Sequence, residues 1–145
     1  MSKVEDFLTQ EEEQEIVDAI VTAEGSTSGE IRVHMESHTR LEPMERAKEV
    51  FHLLKMDNTK DANGVLIYVA VNDRKFVICG DRGIDQLVGH DFWDSTRDSI
   101  QRHFKEGRYK EGLVAGILEA GRVLQHHFPW QANDTNELSN EVSKG

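Results

Sequence analysis

Apolar positions recur at helical spacing in four stretches, and three shorter stretches read as strands. The first helix opens on TQEE, where Thr9 caps and Glu12 answers three residues later. Ile16, Ala19, Ile20 and Ala23 then mark one apolar face, and Gly25 is the stop. GEIRVHMES, residues 29–37, alternates: Ile31, Val33 and Met35 face one way, Glu30, Arg32, His34 and Glu36 the other. That pattern predicts a half-buried strand, with His34 and His38 at the surface. A second helix starts near Pro43 and buries Ala47, Val50, Phe51 and Leu54. GVLIYVAV, residues 64–71, is almost wholly apolar, as a central strand covered on both faces must be. The turn Asn72-Asp73-Arg74 leaves room only for a hairpin, so KFVICG, residues 75–80, returns antiparallel.

Two more helices follow. Phe92, Thr96, Ile100 and Phe104 repeat every four residues over about 91–105, and Gly107 ends that run. Leu113, Ile117, Leu124 and Phe128 line a last helix over about 110–127, with Gly112 and Gly116 allowing a close neighbour. The order of elements predicts a single α/β domain over residues 1–128. A small mixed sheet (strands about 29–37, 64–71 and 75–80) lies in a three-layer α/β/α sandwich, with helices on both faces. Residues 129–145 read as a polar tail, expected to be mobile.

Composition narrows the partners. The chain has 145 residues, 37% of them hydrophobic and 30% charged, with a net charge of −10. Such a field repels nucleic acid and anionic lipid and favours cations or basic proteins. Little apolar surface is left for an obligate interface, so a monomer is expected. A single cysteine, Cys79, rules out an intrachain disulfide and a thiolate zinc site, and its apolar strand predicts an inert thiol. No run is apolar enough for a signal peptide or a membrane span. The expectation is a soluble cytoplasmic protein without direct membrane insertion.

The acids are the candidate chemistry. A helical crossover makes the first two strands parallel, and the hairpin reverses the third. The starts of strands one and two and the end of strand three then share one sheet edge. That edge gathers Glu30, Asp61, Asn63, Asp81 and Asp85, and the following helix starts there with Asp91 and Asp94. Carboxylates so placed raise one another's pKa unless positive charge sits among them. A hard divalent cation fits, calcium first and magnesium second, because calcium takes about six to eight oxygens. The plainer reading has Asp91 capping the helix with Asp94 as its partner, Asp85 in water, and Asn63-Gly64 as a turn. An EF-hand is excluded: with Gly64 sixth, the loop would start at Thr59 and end at Ala70. The sequence holds no GxSxG, phosphate-loop, GxGxxG or CxxC motif.

Three segments carry a resemblance: SGEIRV (28–33), NGVLIYVAVNDRKFVICGDRGI (63–84) and FKEGRYKEGLVAGI (104–117). In this order they resemble the TPM domain, named for the plant thylakoid lumen protein, Psb32 and MOLO-1, over about residues 7–128. The resemblance implies a Rossmann-like α/β/α sandwich, an acidic divalent-cation site near a strand edge, and roles in membrane-protein assembly or modulation. The matching positions are Glu30, Asn63 and the loop Gly80-Asp81-Arg82-Gly83. Where family members often read DNGV, this chain reads Ala62-Asn63-Gly64, so Asp61 would act from one residue earlier. Two functions follow as expectations. One is a stand-alone, non-enzymatic module that binds calcium and acts through a protein partner. The alternative is a weak metal-assisted acid phosphatase, with an Asp as nucleophile or base and Arg82 on the phosphate.

Overall fold

The structure, a computed structural model, describes residues 7–89, 91–130 and 139–145. Helix α1 (Gln10–Glu24) starts as its sequence dictates. Thr9 Oγ1 accepts the Glu12 amide at 3.1 Å, and Glu12 Oε1 accepts the Thr9 amide at 2.9 Å. Strand β1 (Glu30–Glu36), helix α2 (Pro43–Leu53), β2 (Gly64–Ala70) and β3 (Lys75–Gly80) follow in the expected order. A one-turn helix α3 (Arg82–Asp85) fills the glycine-rich stretch that sequence patterning reads as a loop. Helices α4 (Asp94–Lys105) and α5 (Tyr109–Gln125) complete the set.

The sheet order is β3-β2-β1-β4, with β4 the short strand Ser143–Lys144. Strands β1 and β2 are parallel, in register from Glu30 opposite Gly64 to Glu36 opposite Ala70. Strands β2 and β3 are antiparallel, Val65 opposite Gly80 and Ala70 opposite Lys75. The fourth strand is a finding. Ser143 and Lys144, in the stretch expected to be a mobile tail, form β4 and pair parallel with His34 and Met35. Two polar residues carry no periodicity, so nothing local announces such a strand. Residues 131–138 of that tail lie outside the described residues.

One face of the sheet presents Ile31, Val33, Met35, Val65, Ile67, Val69 and Ile78 to α1, α4 and α5. The other presents Leu66, Tyr68, Ala70 and Cys79 to Ala47, Val50 and Phe51 of α2. At Gly116 a Cβ would stand 2.6 Å from Ile100 Cδ1, and at Gly112 it would stand 2.8 Å from Phe104 Cδ1. The glycines of α5 thus let α4 lie against it without a spacer.

Strand β1 is not half-buried. His34 and Glu36 are buried on its polar face, contrary to the surface role expected of His34. Burial is tolerated because the carboxylate is saturated with donors. Arg46 of α2 gives Nε to Oε2 at 2.8 Å and Nη2 to Oε1 at 3.0 Å, and the Tyr68 hydroxyl donates to Oε2. His34 Nε2 lies 3.1 Å from Oε1. Burial alone would raise the Glu36 pKa, but these partners outweigh it and hold the acid at about 2. An ionised carboxylate only accepts, so His34 Nε2 donates and Nδ1 is left to accept the Ser143 hydroxyl at 2.9 Å. This network ties α2 and β4 to a face that sequence alternation assigns to water.

Candidate functional site

The parallel β1–β2 pair and the β2–β3 hairpin bring three chain segments to one edge. The Glu30 amide donates to the Asn63 carbonyl at 3.3 Å, and the Asp81 amide donates to the Gly64 carbonyl at 2.9 Å. Glu30, Asn63 and Asp81 are therefore neighbours along one rim, and all three are buried. The loop before β2 is pressed onto α3, whose Gly83 amide donates to the Ala62 carbonyl at 2.9 Å. Gly83 has to be glycine here, since a Cβ would overlap the Asp61 and Ala62 carbonyl oxygens.

The rim divides by charge. At the β1 end, Glu24 from the last turn of α1 meets Glu30. Burial pushes the Glu24 carboxyl up to about 8, the Ile31 amide opposes this, and the charge of Glu30 adds to it. Glu24 thus holds a proton at neutral pH and shares it with Glu30, while its Oε2 accepts the Ile31 amide at 2.8 Å. At the β3 end, Asp81 caps α3, its Oδ1 taking the Arg82 amide at 2.7 Å. The other oxygen, Oδ2, is buried with no hydrogen-bond partner among the described residues. Burial raises the pKa of Asp85, Lys48 opposes the rise, and Asp81 adds to it. Between the two ends Asn63 points its Nδ2 at Ser28 Oγ, 3.4 Å away.

The other candidates stand apart. Asp61 is exposed on the rim of a shallow cavity of about 400 Å³ that it shares with Ser28, His127 and Pro129. Asp94 is ion-paired with Arg97 on the exposed start of α4. Asp91 is exposed in the preceding turn, where its carbonyl accepts the Asp94 amide at 3.0 Å. It does not cap the helix: Trp93 holds that position, without a side-chain cap. Arg82 is exposed, and its charge is felt at Asp57. Among the described residues no three His, Cys, Asp or Glu side chains form a group able to hold a metal ion.

A divalent cation would therefore have to be held by few carboxylates. Glu30, Asn63 and Asp81 fit in part, since Asp81 Oδ2 is an oxygen without a partner and the Glu24–Glu30 pair carries negative charge it can only partly shed. The carbonyls of Ala62, Asn63 and Gly64 already accept backbone amides, which leaves each a second lone pair. Glu24 is the residue that sequence reasoning missed. It is six positions from Glu30, and only the reversal at residues 25–29 brings the two together.

Comparisons with known proteins agree with this architecture. The chain matches the NMR structure of the BA42 protein from the psychrophilic bacterium Bizionia argentinensis with a TM-score of 0.93 and 59% identity, each chain covered at 100%. The N-terminal domain of a protein from P. gingivalis matches with a TM-score of 0.67 and 21% identity, over 84% of this chain and 79% of that one. The N-terminal domain of cg2496 protein from Corynebacterium glutamicum matches with a TM-score of 0.64 and 11% identity, over 91% and 81%. These last two show the fold alone. No curated protein matches the chain. No helix among the described residues is long and apolar enough to cross a membrane. The TPM domain model matches residues 1–123, most of the chain, and the protein belongs to the TPM domain family.

Proposed function

We propose that this TPM domain is a non-enzymatic accessory module that takes up a divalent cation, calcium before magnesium, at the acidic sheet edge and then engages a protein partner. The observation that carries this reading is Asp81 Oδ2, buried and unpartnered on the rim that Glu30 and Asn63 also line. A buried carboxylate oxygen without a donor costs about 1–3 kcal/mol, and a cation offsets that cost. In this reading Glu30, Asn63 and Asp81 supply oxygens, with Asp61 and Asp85 as outer negative charge. Asp91 and Asp94 contribute only to the long-range field. Glu24 gives up its proton as the cation arrives, so affinity rises with pH between about 6 and 8.

Titration calorimetry with calcium and magnesium tests the proposal. The expected result is saturable heat and proton release in buffers of differing ionisation enthalpy. A rise in melting temperature should accompany it, since ligand at a hundred times Kd stabilises by about 2.7 kcal/mol. Asp81→Asn should weaken binding at least tenfold. Absence of heat and of any thermal shift at millimolar metal overturns the reading. Metal-dependent turnover of an aryl phosphate that Asp81→Asn abolishes would replace it with the phosphatase alternative.

A further inference from the structure

The opposite edge of the sheet has the opposite chemistry. The β2–β3 turn and the α4–α5 junction enclose a cavity of about 470 Å³. That volume lies within the range of small-ligand pockets, roughly 300–1,000 Å³. Its walls carry Arg74, Lys75 and Lys105, and among the described residues none of the three is ion-paired with an acid. Three unpaired cations around one hollow are notable in a chain of net charge −10.

Four aromatic rings form much of the remaining wall, beside Val69, Val71 and Gln101. Phe76 meets Phe104 edge-on with centroids 5.4 Å apart, and Phe104 meets Tyr109 at 5.2 Å. Phe7 lies against Tyr109 at 4.5 Å. All four are only half-buried, so part of each side chain is left uncovered. Arg74 stands in the left-handed region, with φ of 54°, at a turn position that glycine or asparagine fills without strain. Turn chemistry does not select an arginine there.

We propose that this cavity binds a small aromatic carboxylate, its ring against Phe76, Phe104 and Tyr109 and its acid group held by Arg74 and Lys105. The planar guanidinium matches a carboxylate through two parallel hydrogen bonds, and an aromatic ring gains both burial and edge contacts. The site is at the far edge from Glu30 and Asp81 and does not depend on the cation reading.

A ¹H–¹⁵N NMR titration with indole-3-acetate tests it, with the neutral indole-3-acetamide as comparison. Expected are saturating shifts confined to Phe7 and residues 69–76 and 101–109. Binding should be at least tenfold weaker for the amide and for the Arg74→Gln/Lys105→Gln double variant. Both replaced side chains are exposed, so the variant should retain its fold. Should it not fold, the comparison of acid with amide still decides. Shifts that never saturate, that lie elsewhere, or that are equal for acid and amide overturn the proposal.

Discussion

Arg46 grips Glu36 through both carboxylate oxygens, Nε to Oε2 at 2.8 Å and Nη2 to Oε1 at 3.0 Å. The pair joins α2 to a buried strand face, so its loss should be felt as an unpaired internal charge. Arg46→Met is expected to destabilise the fold by about 3 kcal/mol or more, read as a shift of the urea midpoint. Arg46→Met combined with Glu36→Leu should cost less than Arg46→Met alone, because no charge is stranded. Glu36 has a folded pKa of about 2, below its unfolded value. Its stabilisation is therefore complete above about pH 4.5 and disappears as pH falls toward 2.

Glu24 has the reverse sign. Its folded pKa, about 8, exceeds its unfolded value. The native state binds the extra proton, so stability falls as pH rises from about 5 to 8 in metal-free buffer, by an amount on the order of a few kcal/mol. Glu24→Gln keeps a neutral donor for Glu30 and an acceptor for the Ile31 amide. Denaturation midpoints of that variant should be flat over the same range and higher than wild type at pH 8. A parallel slope in both proteins contradicts the assignment.

Gly116→Ala sets two effects against each other. Helix propensity favours alanine by about 1 kcal/mol. The new methyl collides with Ile100, which is fully buried between α4 and α5. Overpacking of this kind costs about 1–3 kcal/mol, and it should win. Calorimetric melting of Gly116→Ala is expected below wild type, with part of the loss recovered by adding Ile100→Val.

Cys79 should be chemically quiet. Burial pushes its thiol up to about 11, and the charge of Asp85 adds to the rise against the opposing Lys48. At pH 8 little thiolate exists, and the sulfur lies under α2. An aromatic disulfide reagent should react far more slowly with the native protein than with the urea-unfolded chain. Equal rates would mean that the β3–α2 contact opens readily.

Much of this architecture was legible where local and tertiary signals agree. Thr9, Glu12 and Gly25 bound α1 because caps are written in neighbouring residues. The wholly apolar β2 announced its central place, and the crossover rule then brought Glu30, Asn63 and Asp81 to one edge. What escaped depends on distant partners. Alternation along β1 marks His34 and Glu36 as outward, and only partners distant in sequence, Arg46, Tyr68 and Ser143, make their burial tolerable. Glu24 looks like a helix-end acid until the turn folds it back on Glu30. Asp91 and Asp94 sit near the right edge by topology, yet helix α4 begins three residues later than the sequence suggests, and Asp94 turns to Arg97.

The Glu24 contact with Ile31 has one more consequence. The amide of Ile31 belongs to the outer rim of β1, ahead of the short stretch that β4 covers. An open rim of this kind is a template on which strands of other molecules assemble. Here the carboxyl of Glu24, from the preceding helix, occupies that donor, so an incoming strand finds no free amide at Ile31. The same side chain that crowds Glu30 thereby closes this point of the rim to strand addition.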